Sequence, residues 1–226
     1  MNNYSILIPI HNEKKSIKAL LSKLATYETL GHELIIIDDG STDGGDYLLK
    51  ESKIINLISI KENMGKGYAI REGIKVATNN RIVIYDGDLE LETSDILKLM
   101  ILDHQISTRF VVGFRFNSLN PINSGFDWGN FIFTGFFNII FRANYKDILC
   151  CAKSFYLNDL KNYDLKSNGF DIDVELCAAL NLKNHASNHV QVKLNYDRRG
   201  LKDGKKLKVS DGWKILSRVL KMIKHY

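Results

Sequence analysis

Arg81-Ile82-Val83-Ile84-Tyr85-Asp86-Gly87-Asp88-Leu89-Glu90 decides how the rest of the chain is read. A β-rich apolar run ends abruptly in two carboxylates one glycine apart. A strand buried on both faces of a parallel sheet has this appearance, and α/β folds bind ligands at the carboxyl ends of their strands. Asp86 and Asp88 repel each other if held together. A hard divalent cation, Mg²⁺ or Mn²⁺, relieves the repulsion through oxygen ligands. Gly87 has no Cβ, so a bulky anion is expected to approach its backbone closely. An acidic turn uses the same residue types, so the neighbouring segments must decide.

Upstream, Tyr4 to Ile10 reads as a buried strand whose end Pro9 marks. Asn12 reads as the N-cap of a helix from about Glu13 to Tyr27, with Ile17, Leu20, Leu21 and Leu24 at helical spacing. Leu34 to Ile37 is a second buried strand running into Asp38-Asp39-Gly40-Ser41-Thr42-Asp43-Gly44, with a short helix after it, and Ile54 to Ile60 is a third strand. Gly65 to Thr78 is helical, with Ala69, Ile70, Gly73, Ile74 and Ala77 inward. Downstream of the opening stretch, Ser94 caps a helix to about Leu102 and Phe110 to Phe116 is a further strand. This alternation predicts an α/β fold: a mostly parallel sheet with helices on both faces. Right-handed crossovers gather the strand ends on one edge, and with them His11-Asn12-Glu13, Asp38-Asp39 and Asp86-Gly87-Asp88.

The second half is less regular. Asn130 to Arg142 is apolar almost all round, with polar residues every fourth position at Asn130, Thr134, Asn138 and Arg142. As a helix it carries one thin polar stripe. Val190 to Tyr196 reads as a strand. Trp213 to Tyr226 reads as a terminal amphipathic helix, with Lys214, Arg218 and Lys221 on one side and Leu216, Val219, Leu220 and Ile223 on another. No repeat or linker interrupts the chain, which predicts a single domain over 1–226 with a basic helical tail.

The 226 residues suffice for one sizeable core, and 45% hydrophobic with 25% charged residues argues against disorder. Net charge is a mild +5. Cys150, Cys151 and Cys177 make neither a disulfide framework nor a C-x-x-C pair, which fits a reducing cytoplasm. Met1-Asn2-Asn3-Tyr4 is unlike a signal peptide, and no window reaches the ~18–20 apolar residues of a membrane span. The expectation is a cytoplasmic protein whose contact with the inner face of a membrane, where there is any, is peripheral or through a membrane-protein partner. His185 and His189 are four apart but lack a third ligand nearby and read as loop residues. No motif or stacking platform supports nucleic-acid binding.

Four segments in order now carry a resemblance: Pro9-Ile10-His11-Asn12-Glu13; Ile35 to Gly44; Asn63-Met64-Gly65-Lys66-Gly67-Tyr68-Ala69-Ile70-Arg71-Glu72-Gly73; and Asp86-Gly87-Asp88-Leu89-Glu90. They resemble family 2 glycosyltransferases of the Rossmann-like GT-A fold, in the dolichol-phosphate mannose synthase-like branch. Asp147 to Phe155, Gly169-Phe170-Asp171-Ile172-Asp173, Arg199, Asp203-Gly204-Lys205-Lys206-Leu207 and Asp211-Gly212 extend it over nearly the whole chain.

The resemblance implies an inverting transfer of a sugar from a UDP- or GDP-sugar to a polyprenyl phosphate or a glycan precursor, assisted by Mg²⁺ or Mn²⁺. Residues 1–117 would form the nucleotide-sugar half and 118–226 the acceptor half. Asp88, with Asp86 and Glu90, would hold the metal, although related enzymes often have Gln in the place of Glu90. Pro9, His11, Glu13, Asp38 and Asp39 would line the base and ribose, Gly87 would allow close approach, and Lys66 and Arg71 would serve anionic groups at a helix N-terminus. Arg115, Arg199, Lys205 and Lys206 would meet the diphosphate or the acceptor phosphate. Asp173 or Glu175 would act as general base for a hydroxyl acceptor, while a phosphate acceptor needs none. Asp171 would be a helix N-terminal acid or would orient the acceptor. Asp147 and Lys153 match the branch, but Cys150-Cys151-Ala152 departs from its usual Ser-Gly-Phe or Cys-Tyr. The aromatic segment 128–141 and the basic terminal helix could lie on an anionic membrane surface or simply pack on the sheet. Two other readings are a degenerate scaffold partner of another glycosyltransferase, disfavoured by the intact Asp86 and Asp88, and a sugar nucleotidyltransferase, disfavoured because no glycine-rich loop follows the first strand.

Overall fold

A computed structural model of the chain describes residues 3–103, 105, 107–116, 125–184, 189–197, 212 and 217–220. The first strands form as expected: β1 (Tyr4–Ile10), β2 (Glu33–Asp39), β3 (Asn56–Ile60) and β4 (Arg81–Ile84) are mutually parallel, with β1 between β2 and β4 and β3 outside β2. Both faces of the central strands are buried, which is why their sequence is continuous rather than alternating. Leu7, Ile35, Ile37, Ile82 and Ile84 face one core. Ile6, Ile8, Ile10, Leu34, Ile36 and Val83 face the other.

Helix α1 (Lys14–Thr29) covers the second of these cores with Ile17, Leu20 and Leu24, helped by the short helices α2 (Asp46–Lys50) and α4 (Ile96–Leu99). Helix α3 (Lys66–Val76) covers the other with Ala69 and Ile70. It lies so close that a Cβ on Gly73 would press on the Ile37 side chain, 2.9 Å away. The long helices α5 (Gly125–Ile140) and α6 (Ile172–Asn184) complete that face.

Pro9 does not end β1. It sits within the strand, in register with Ile37 of β2. On the other flank the Leu7 carbonyl accepts from the Tyr85 amide, and β4 stops at Ile84. Pro9 has the same parity as Leu7, so its missing N–H faces a flank that its neighbour has already left.

Asn12 is not the cap of α1. Its φ is +55°, and the N-cap position belongs to Glu13. Help for the first turn comes from another segment, the Asp43 carboxylate, which accepts from the Lys14 amide at 2.7 Å. The helix predicted from Ser94 to Leu102 is a 3-10 turn over Thr93–Asp95 followed by one turn of α4.

The sheet departs from simple alternation at a strand the sequence did not reveal. β5 (Phe110–Phe114) does not pair with β4. Between them runs β6 (Lys153–Tyr156), antiparallel to both, while β7 (His189–Lys193) closes the edge parallel to β5. The order is β3-β2-β1-β4-β6-β5-β7. Lys153-Ser154-Phe155-Tyr156 carries a lysine and a serine, so no apolar run announced it, yet all four side chains are buried. The expected strand to Tyr196 ends earlier, and Tyr196 makes one bridge back to Leu91.

Candidate active site

The carboxyl ends of β1, β2 and β4 bring the three acidic segments to one edge. Ile10 is in register with Asp38, and His11 Nδ1 lies 2.8 Å from the Asp39 carbonyl. Asp38 accepts from the Ser41 amide at 3.0 Å. Asp39 ties down its own surroundings: its two carboxylate oxygens accept from the amides of Met64 and Gly65, each at 2.8 Å. Gly40 (φ +67°) packs so tightly on the Glu62–Asn63 backbone there that a Cβ would clash. Glu13 is buried and accepts from the Ser16 hydroxyl at 3.0 Å.

Asp88 accepts from the Glu90 amide at 3.1 Å. Burial, then the neighbouring charge of Asp86, push its carboxyl up to about 6, with Glu90 and Glu13 adding to the effect. Crowding of like charges raises a carboxyl in this way, and the side-chain groups crowded there are oxygen donors. Among the described residues no three His, Cys, Asp or Glu side chains converge into a complete metal cage. A Cβ on Gly87 would run into Ile10, Ile8 and Leu20 of the core beneath.

Lys66 opens α3 and turns into the acidic edge. Its Nζ lies 2.9 and 3.0 Å from the two oxygens of Asp86 and 3.3 Å from Asp173, with the Phe170 ring 5.7 Å away. Burial works against its charge, but Asp173 and Asp86 outweigh that and hold the ammonium well above its ordinary value. Asp173 accepts a second lysine, Lys153, at 3.1 Å, and Lys153 also donates to the Cys150 carbonyl. Burial would raise the Asp173 carboxyl. The two ammonium groups reverse this and hold it below the usual range. Asp86, Lys66, Asp173 and Lys153 thus alternate in sign from the strand tip to β6.

The expected anion cradle at the start of α3 is filled by protein. The amides of Gly67 and Tyr68 donate to the Asn168 carbonyl at 2.7 and 3.2 Å. Gly65 (φ +98°) and Gly67 lie against the Asn168 and Ser167 carbonyls, where a Cβ would collide. Arg71 belongs to the same contact: it donates to the Ser167 carbonyl and, at 2.7 Å, to Asn168 Oδ1. It clamps the 167–168 loop against the start of α3.

The acids of α6 are similarly engaged. Glu175 accepts from the amides of Lys166 and Ser167, the latter at 2.7 Å. Asp171 accepts from Gly169 N and from Arg218 Nε, both at 3.2 Å. Arg115 makes a two-pronged pair with buried Asp147, Nε at 2.8 Å and a terminal nitrogen at 3.0 Å, and Asn130 donates to the same carboxylate at 2.8 Å. Burial would raise Asp147, but the Arg115 guanidinium holds it low. Arg199, Lys205, Lys206 and His185 lie outside the described residues, as does most of the terminal helix. The three cysteines are free and buried.

The polar stripe of α5 points inward. Asn130 serves Asp147, Thr134 donates to Asn130 at 3.2 Å, and Asn138 holds both the amide and the carbonyl of Tyr145, at 2.9 and 2.8 Å. One apolar flank faces out, with Phe131 49% exposed, Ile132 50% and Ile139 80%, while Phe133, Phe136, Phe137 and Ile140 pack on the core. No helix among the described residues is long and apolar enough to cross a membrane.

Residues 5–158 match the model of glycosyl transferase family 2, and the chain belongs to that family. Among similar proteins, the dodecaprenyl-phosphate galacturonate synthase of Rhizobium johnstonii is 31% identical over 121 residues, 50% of this chain and 36% of that protein. Glycosyltransferase AglJ of Haloferax volcanii is 29% identical over 188 residues, 79% of this chain and 59% of that one. The undecaprenyl-phosphate 4-deoxy-4-formamido-L-arabinose transferase of Aeromonas hydrophila is 33% identical over 105 residues, 42% and 32%. The chain thus covers from 32% to 59% of the length of these curated relatives. In fold it is similar to glucosyl-3-phosphoglycerate synthase from Mycobacterium tuberculosis, with a TM-score of 0.77 at 15% identity over 99% of this chain and 80% of that one. Another structure of that enzyme, holding Mn²⁺, UDP and glucosyl-3-phosphoglycerate, aligns with a TM-score of 0.72.

Proposed function

We propose that this chain transfers a sugar from a nucleoside-diphosphate sugar, UDP- or GDP-linked, to an acceptor whose nucleophile is already an anion, a polyprenyl phosphate. The observation that carries this reading is the state of the acids at the start of α6. Asp173 is held by two lysines, Glu175 by two backbone amides and Asp171 by Arg218. A carboxylate with a depressed pKa and two ammonium partners is a poor proton acceptor, so an alcohol would find little help there. A phosphate monoester needs none. The names of the Rhizobium and Aeromonas relatives support the same acceptor class, and the outward apolar flank of α5 suits a lipid-covered surface.

The donor would lie across the edge formed by Glu13, Asp38 and Asp88, its ribose hydroxyls donating to carboxylates. Asp88 fits a divalent cation by donor chemistry and by its raised pKa, with diphosphate oxygens and water supplying other ligands. Such an ion, when bound, neutralises charge on the departing diphosphate. The protein's own part is to orient the two substrates for a single displacement with inversion, and no residue need form a covalent intermediate.

The test is transfer of labelled sugar from UDP- and GDP-sugars to a polyprenyl phosphate and, in parallel, to the corresponding polyprenol. Transfer to the phosphate alone, lost on chelation, is expected. Equal transfer to the alcohol would overturn the acceptor assignment.

A further inference from the structure

In the sequence Arg218 is one cation among several on the polar side of a terminal helix, yet its guanidinium points into the fold. Its Nε lies 3.2 Å from an Asp171 oxygen and a terminal nitrogen lies 3.7 Å from a Glu175 oxygen. Val219 beside it is buried in the core under α3, α5 and α6. Asp171, Asp173 and Glu175 crowd three buried carboxylates into the start of α6. Asp173 is answered by Lys66 and Lys153. Asp171 and Glu175 share the Arg218 guanidinium, which offsets the repulsion between them. Glu175 in turn accepts from the amides of Lys166 and Ser167. The carbonyls of the same loop are held by α3: Ser167 by Arg71, and Asn168 by the amides of Gly67 and Tyr68. Hydrogen bonds and ion pairs therefore run from residue 218 through the first turn of α6 and the 166–168 loop to the first turn of α3, where Lys66 meets Asp86 at 2.9 Å.

We propose that Arg218 is a positioning residue for the acceptor side: it bridges Asp171 and Glu175 and so sets the first turn of α6 and the 166–168 loop against the start of α3. The consequence for sugar transfer rests on the glycosyltransferase reading above, whereas the positioning stands on these contacts. Arg218 acts through Glu175 and touches no reacting atom. A planar guanidinium can face two carboxylates at once, which a single ammonium does poorly. Without it, two buried carboxylates stand side by side uncompensated, and the readiest relief is a looser first turn in which Glu175 releases its amides.

The test uses the full chain and reads amide hydrogen exchange, with melting curves to verify folding, alongside steady-state transfer to a polyprenyl phosphate. Arg218→Met keeps the apolar stem and removes the charge. It is expected to speed exchange at Lys166, Ser167, Gly67 and Tyr68 at least about 10-fold, while Ile36 in β2 keeps its wild-type protection. Arg218→Lys restores the charge but not the span, and about 3-fold faster exchange at the same amides is expected. In Arg218→Met the KM for polyprenyl phosphate is expected to rise about 10-fold, with the donor KM changed less than about 2-fold. Wild-type protection of the loop amides in folded Arg218→Met would overturn the proposal. So would faster exchange that extends equally to Ile36, or equal rises in both KM values, since either is what general destabilisation gives. If Arg218→Met does not fold, Arg218→Lys decides by the same amides, and wild-type protection there would overturn the proposal. The expected exchange pattern in a chain that transfers no sugar would sink the activity assigned above and leave the positioning standing.

Discussion

Asp147 and Asp88 show how differently two buried carboxylates behave. Asp147 has a guanidinium against it in two-pronged geometry and an amide from Asn130. Removing it leaves Arg115 uncompensated, so Asp147→Ala is expected to cost about 3 kcal/mol or more in chemical denaturation. Arg115→Lys should recover only part of an Arg115→Ala loss, since an ammonium cannot span both oxygens. Asp88 has its carboxyl raised from 3.8 to about 6, so the fold favours its neutral form. Its charge costs stability above about pH 6, and the cost fades as pH falls toward the ordinary value. A divalent cation reverses the preference. Thermal stabilisation by Mn²⁺ is therefore expected to be large above about pH 7 and to shrink as pH drops through about 6, where protons compete for the oxygens. A Mn²⁺ shift independent of pH across that window would place the ion elsewhere. None of these pairings was legible beforehand. The residue types at the edge could be read, but Asp39 meets the amides of Met64 and Gly65, and Arg71 meets a carbonyl 96 residues away. Backbone partners leave no mark in a sequence.

At the scale of elements, apolar runs and helical spacing located β1, β2, β4, α1 and α3 because each buries side chains in a regular period. They failed at β6, whose Lys153 and Ser154 are buried through specific partners, Asp173 and the Leu99 carbonyl. A lysine set among Cys150, Cys151, Ala152 and Phe155 was the one available hint, since a buried lysine implies a carboxylate near it. Helix α5 was legible as a helix but not in its orientation. Its polar stripe organises the 145–148 loop, so Asn138→Ala would orphan the Tyr145 amide and carbonyl together and is expected to cost about 2 kcal/mol in denaturant titration. Gly67→Ala is expected to push the 167–168 loop off the α3 N-terminus, where its carbonyls leave no space for a methyl. Hydrogen exchange at the Gly67 and Tyr68 amides should rise accordingly, and unchanged protection would contradict the packing described.

For the molecule as a whole, the outward flank of α5 separates stability from surface association. Phe131→Ser, Ile132→Ser and Ile139→Ser combined should shift unfolding by no more than about 0.5 kcal/mol per site, because these side chains touch solvent. Sedimentation with anionic phospholipid vesicles should nevertheless fall markedly relative to the parent chain, and equal sedimentation would remove α5 from the lipid-facing surface. The class of fold was readable from the order of strands and helices, while the sheet order was not, since β6 must arrive from later in the chain. That arrangement bears on biosynthesis. β4 and β5 have no hydrogen bonds to each other and are joined only through β6. On a ribosome, a nascent polypeptide that has emerged only as far as β5 therefore displays an open β4 flank, sealed when Lys153–Tyr156 threads in. Co-translational chaperones would find an exposed edge in that interval.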